Sequence, residues 1–148
     1  MSVPVNSPYT SVFLLHIALE IPLGIQGVLS AGLPFIEMTN TTLVVLKLYG
    51  SLIIATCIAS LLCFGLPDMQ PGKRAVAIML IIYHCFTSTV LIQSPRFIPM
   101  SFGNLAETFK ITPEVVWGTA HGIMSLFFVF WWQATLPTPT AKGATRAR

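Results

Sequence analysis

Apolar side chains run along this 148-residue chain in four blocks, at about 12–33, 43–66, 75–94 and 113–135, separated by stretches that collect Pro, Gly, Asn, Asp and Thr. Wound as an α-helix at about 1.5 Å per residue, a block of roughly 20 residues crosses a hydrocarbon core about 30 Å thick. Transmembrane β-strands would be segments of about 10 residues with alternating polarity, and these blocks do not alternate. The pattern predicts an all-α fold in which residues 1–148 form a single membrane domain, an integral membrane four-helix bundle with no separate soluble unit.

Composition narrows the class further. Hydrophobic residues make up 54% of the chain and charged ones 9%, with a mean hydropathy of +0.78. A soluble domain carries about 25% charged residues, so a water-soluble globule is excluded. The net charge of +3 comes from Lys and Arg scattered over tails and loops. Without a basic face interleaved with aromatics, nucleic acid is not expected as a partner. Cys57, Cys63 and Cys85 all fall within blocks and make no disulfide framework. The first 11 residues lack Lys and Arg, and the apolar run behind them carries Glu20, so block 1 is expected as a retained span rather than a cleaved signal.

Four spans with short connections put both termini on one side. That side collects Lys73, Arg74, Lys142, Arg146 and Arg148, and the other Lys47, Arg96 and Lys110, which predicts both termini in the cytosol. Asn40, Thr41 and Thr42 are expected to cap span 2, a role that competes with their glycosylation sequon at the membrane edge. Pro67, Asp68, Pro71 and Gly72 are expected to form a turn, and Thr112-Pro113-Glu114 to start span 4. Asn104 and Glu107 have capping-box spacing, and Phe102, Leu105 and Phe109 recur at three and four residues. They suggest a short interfacial helix between spans 3 and 4, either a lid over the bundle mouth or an ordinary linker. Trp131 and Trp132 are expected as interface anchors, and residues 137–148 as a disordered tail.

In lipid an acid at a helix centre costs about 2.5–3.5 kcal/mol on insertion scales, so each deep polar residue needs a reason. Glu20 is the only carboxylate deep in a span. Counted at the helical rise from the cytosolic boundary, Glu20 lies at about 12 Å, His84 at about 15 Å, Gln26 and His121 at about 21 Å and Tyr49 at about 25 Å. Helical spacing puts His16, Glu20, Gly24, Gly27 and Ala31 on one stripe, His84, Thr87, Ser88 and Leu91 on a second, and Glu114, Trp117, His121 and Ser125 on a third. Folded inward, these stripes bring Glu20, His84 and His121 together as the candidate catalytic set. His16, Gly24, Gln26, Tyr49, Trp117 and Ser125 are the candidate substrate-binding residues, with Gly24 and Gly27 leaving room for a neighbour or a ligand.

The sequence has no HExxH, carboxylate-rich, phosphate-loop, haem-attachment or dinucleotide pattern, so neither metal nor cofactor is expected, although His16 and Glu20 are spaced to share an ion. A carboxyl group in a low-dielectric pocket favours its neutral form and is fitted to donate a proton, with a nearby His or Tyr as partner. Cofactor-free epoxide opening, cyclisation or double-bond migration on a lipophilic small molecule suits such a set.

The stretches His16-Ile17-Ala18-Leu19-Glu20-Ile21-Pro22, Ser94-Pro95-Arg96-Phe97, Trp117-Gly118-Thr119-Ala120-His121-Gly122 and Trp131-Trp132-Gln133 resemble small fungal four-span proteins of natural-product pathways. They are similar to the membrane hydrolases and cyclases of aurovertin- and citreoviridin-type biosynthesis. The resemblance implies epoxide chemistry on a polyketide or terpenoid in the endoplasmic reticulum membrane, and transfers no catalytic residue. Two other classes remain open from the sequence. A proton-coupled transporter is one, since small multidrug exporters are similar in size with a Glu in span 1, although the charge bias, the 95–112 loop and the additional His argue against it. A non-catalytic, lipid-binding accessory subunit is the other. Membrane lipids are expected partners, and the sequence leaves a homo-oligomer open.

Cysteines introduced in the two tails of the chain should be labelled by a membrane-impermeant maleimide from the cytosolic face. Labelling of either tail from the opposite face alone contradicts the charge assignment.

Overall fold

The computed structural model describes residues 7–29 and 38–137. A 3₁₀ turn at Pro8–Ser11 leads into α1 (Val12–Leu29), followed by α2 (Asn40–Phe64), α3 (Pro71–Gln93), the short α4 (Asn104–Thr108) and α5 (Pro113–Ala134). No strand occurs among the described residues. Four helices, the first counted from Pro8, are long and apolar enough to cross a membrane. The chain is built as an integral multi-pass membrane protein with a four-helix bundle. Ala31 and the tail from residue 138 onward lie outside the described residues.

Helix starts follow local chemistry, with corrections to the expected caps. Thr39, not Asn40, caps α2: its Oγ1 accepts from the Thr42 N–H at 3.1 Å, and Asn40 is already the first helical residue. A threonine hydroxyl one residue earlier fills the same role, so the helix begins one residue sooner. α3 starts at Pro71, which places Lys73 and Arg74 inside its first turn rather than in a loop. Proline is preorganised there and its missing N–H is no loss. Thr112 caps α5 as expected, accepting from the Val115 N–H at 3.3 Å. The expected capping box at Asn104 is absent: Gly103, at φ 98°, precedes α4, and Glu107 instead binds the Arg96 guanidinium at 2.8 Å. α4 is present, but none of its residues is buried.

Packing divides the bundle into two tight pairs, α1 with α2 and α3 with α5, with sparse backbone contact between the pairs. Glycines set both close approaches. A Cβ on Gly50 would sit 2.9 Å from the Gly24 carbonyl oxygen and 3.0 Å from the Val28 nitrogen. On the other pair, a Cβ on Gly118 would meet Ile92 Cγ1 at 2.8 Å, and one on Gly122 would meet Ser88 Oγ at 3.0 Å. Gly24 and Gly27 therefore make room for α2 and not for a ligand. Larger side chains fill the seam between the pairs, where Phe13 meets Phe128 and Trp131 edge to face at 5.2 and 5.3 Å. Trp131 is fully buried, which corrects its expected place at the interface. Consecutive helical residues project about 100° apart, so only one of the two tryptophans can face outward. Trp132 is that one, half-buried, with the Arg74 guanidinium 3.7 Å over its ring.

The shared end of the bundle is fastened by ions. Asp68 accepts from Lys73 Nζ at 2.8 Å, Thr10 Oγ1 at 2.7 Å and the Ser7 N–H at 3.0 Å. Lys73 is itself fully buried and also donates to the Leu66 carbonyl at 2.8 Å. Burial would push the Asp68 carboxyl up, but these donors outweigh it and hold it below the ordinary carboxylate value. At the opposite end Glu114 Oε1 accepts from the Phe97 and Ile98 N–H groups at 2.9 and 2.6 Å, which pins the α3–α5 connection.

Because the atoms facing Gly50 are backbone and cannot swing aside, Gly50→Ala should cost about 1–3 kcal/mol in a reversible unfolding measurement in mixed micelles. Gly72, where an added Cβ would meet nothing within 4 Å, serves as the control and should tolerate alanine with little change. Equal stability of the two variants contradicts the packing described.

Candidate functional site

The three histidines are the only ones in the chain, and all of them, with Glu20, lie fully buried. α1 supplies His16 and Glu20, one turn apart on the stripe that runs on to Gly24 and Gly27. α3 supplies Tyr83 and His84, and α5 supplies His121. His16 Nδ1 and His84 Nε2 are 3.0 Å apart, and His84 Nδ1 and His121 Nδ1 are 2.9 Å apart. At these separations one nitrogen of each pair donates and the other accepts. His16 Nε2 lies 3.3 Å from Thr56 Oγ1, which extends the chain of bonds to α2.

Glu20 closes the network from the other side. Tyr83 OH donates to its Oε2 at 3.1 Å, and the Tyr49 and Tyr83 hydroxyls are 2.9 Å apart. With the Tyr83 hydrogen committed to the carboxylate, Tyr49 is the donor in that second bond. Glu20 Oε1 has no hydrogen-bond partner, and it lies 3.4 Å from His121 Nδ1 and 3.9 Å from His84 Nδ1. A buried carboxylate oxygen, close to two imidazole nitrogens and bonded to neither, is the chemically open point of the site.

The other expected site residues separate into two groups. Tyr49 joins the network through Tyr83, and Trp117 packs its ring 5.7 Å from that of His121. Gln26 is exposed on the opposite side of α1 and stands outside the cluster. Ser125 donates to the Ile81 carbonyl at 3.2 Å and ties α5 to α3. Gly24 packs against Ile53. Two members of the network were not among the expected site residues. Tyr83 sits beside His84 and off the polar stripe of span 3, while Thr56 lies among apolar neighbours and reads as an ordinary back-bonding hydroxyl, which it also is, through the Ile53 carbonyl at 2.8 Å.

A cavity of about 110 Å³ opens between α2 and α3, lined by Leu52, Ile53, Thr56, Met79 and Tyr83. Its walls are apolar apart from two hydroxyl-bearing residues, Thr56 and Tyr83, and both belong to the network. Leu52 and Met79 are exposed at its rim, on the surface that faces lipid when the helices span a membrane. Comparison with protein-family profiles, with curated proteins and with solved structures returns no match for this chain.

Proposed function

We propose that this chain is a membrane enzyme that performs acid–base chemistry, the opening of an epoxide by hydrolysis or cyclisation, on a lipophilic polyketide or terpenoid. Glu20 is the proton-transferring group, with His84 and His121 as its partners. The observation that carries the reading is the Glu20 carboxylate, fully buried, held at Oε2 by Tyr83 and unpartnered at Oε1 beside two imidazoles. Glu114 also has one unpartnered oxygen, but its other oxygen is held by two backbone N–H groups at the end of the bundle, whereas Glu20 Oε1 faces two imidazoles.

The chemistry needs little more than this set. As the epoxide C–O bond breaks, its oxygen takes a proton from the acid, either Glu20 itself or Tyr83 resupplied by Glu20. The attacking water or internal hydroxyl forms the new C–O bond and gives its proton to an imidazole, which returns it to the carboxylate through the bonded rings. Protons balance over the cycle, and no electron is transferred. The α2–α3 cavity supports entry from the bilayer, since it is apolar and has the Tyr83 side chain in its wall. Resemblance to the small fungal proteins agrees with this substrate class and adds the endoplasmic reticulum as the proposed location.

Glu20→Gln preserves shape while removing the transferable proton, so conversion of a long-chain epoxide by detergent-purified protein should fall by about 10²–10⁴. Helicity should be retained, because a neutral amide is less costly to bury than a charged acid. Wild-type turnover by a folded Glu20→Gln variant contradicts the proposal. So does wild-type protein that leaves epoxides intact but couples proton and substrate movement across vesicles, which is the transporter's signature.

A further inference from the structure

We infer that Glu20 Oε1, His84 Nδ1 and His121 Nδ1 form a binding site for one divalent transition-metal ion of the Zn²⁺ class. The three atoms make a triangle with edges of 2.9, 3.4 and 3.9 Å. Ligands held about 2.0–2.1 Å from a tetrahedral ion lie about 3.4 Å from one another, so the triangle has the size of one face of such a site. One of its corners is a fully buried carboxylate oxygen with no hydrogen-bond partner.

The hydrogen bonds behind the triangle decide which of its nitrogens carry a lone pair. Thr56 Oγ1 donates to the Ile53 carbonyl, so on its contact with His16 it accepts, and His16 Nε2 carries the hydrogen. His16 Nδ1 is then the acceptor in its bond to His84, which places the His84 hydrogen on Nε2. His84 Nδ1 is left as a bare lone pair facing His121 Nδ1 and Glu20 Oε1. Without an ion, a hydrogen on His121 Nδ1 bridges the two rings. An ion takes its place and satisfies the carboxylate oxygen as well. His121 Nε2 has no hydrogen-bond partner in either case and does not discriminate between them.

Ligating histidines and carboxylates are commonly held by outer hydrogen bonds that fix tautomer and orientation. Here His16, backed by Thr56, holds His84, and Tyr83 holds Glu20 Oε2. Ligand atoms of His16, Glu20 and His84 also lie within 4.8 Å of one another. His16 Nε2 donates to Thr56 and its Nδ1 lone pair takes the His84 hydrogen, bonds that an ion in the triangle leaves intact, which makes His16 a supporting residue rather than a ligand. Two imidazoles and one carboxylate suit Zn²⁺, Co²⁺ or Ni²⁺ better than the all-oxygen cages of Ca²⁺ or Mg²⁺. The three ligands come from three helices, so no local spacing in the sequence announces them. The ion and the transferable proton of the proposed epoxide chemistry compete for the same three atoms, so the loaded site and the proton relay are alternative states of one cluster.

The test uses the untagged full chain in detergent micelles, stripped with chelator and titrated with Co²⁺. Expected are saturation at one equivalent, the visible bands of four-coordinate Co²⁺, displacement by Zn²⁺, and quenching of the neighbouring Trp117. Glu20→Gln, His84→Gln and His121→Gln should each abolish the bands with helicity retained, while His16→Gln should weaken binding roughly 10- to 100-fold, as loss of an outer partner does. Absence of saturable binding by the wild type overturns the inference, as does binding that persists in a folded Glu20→Gln, His121→Gln double variant. Protein that binds no ion yet loses turnover on Glu20→Gln refutes this site and leaves the proposed enzyme standing. Protein that binds the ion yet keeps full turnover on that substitution does the reverse.

Discussion

A bilayer core offers no water to a polar group, so every buried N–H, hydroxyl, imidazole and carboxyl must find its partner within the protein. This chain meets that constraint for its backbone with four long helices and gathers its deepest polar side chains into a single seam, where Glu20 Oε1 and His121 Nε2 are left without partners. Three histidines, Glu20, two tyrosines and Thr56 are drawn from all four spanning helices into two hydrogen-bonded chains that meet where Glu20 Oε1 lies 3.4 Å from His121 Nδ1. The lipid-facing surfaces can then be the apolar ones, as Leu48, Leu62, Phe86 and Leu126 illustrate, each more than three-fifths exposed.

The seam exists because the helices pack unevenly. Glycines draw α1 onto α2 and α5 onto α3 until backbones nearly touch, and the distance left between the two pairs is that of large side chains. Aromatic rings fill it toward the end where Lys73 and Asp68 fasten the α2–α3 turn to the N-terminal segment. Rings with nitrogen fill it further along. His84 stacks on Phe128, so the imidazole cluster continues the aromatic core without a break and the rings have little freedom to turn. Such rigidity is what a reactive or ion-binding constellation requires of its support. The α2–α3 side of the seam is the place where packing thins and the cavity reaches the network.

Much of this was legible in the sequence, and the gaps have physical reasons. Four apolar blocks fixed the helices, because length and hydropathy alone decide what can span lipid. Stripes at helical spacing found His16, Glu20, His84 and His121, because polar groups at that depth have nowhere else to go. Gln26 was misplaced, since depth says nothing about azimuth and it projects away from the stripe that carries Glu20. Trp131 was misplaced for a related reason: its amphipathic ring suits an interface, but its face of α5 is the one that meets Phe13. Tyr83 and Thr56 read from the sequence as packing and back-bonding residues, because an isolated hydroxyl in a span has a local explanation, and only the neighbouring helices reveal a second role. The mutual geometry of the histidines depends on how three helices meet and is written in no segment by itself.

The three histidines form one bonded row in the membrane interior. Solid-state NMR of protein labelled with ¹⁵N only at histidine and reconstituted in lipid bilayers should show through-space nitrogen–nitrogen correlations linking His16 to His84 and His84 to His121, assigned by single His→Gln variants, with ring hydrogens protected from exchange with D₂O. Three uncorrelated imidazoles, or rings whose hydrogens exchange freely with bulk water, would contradict the bonded row.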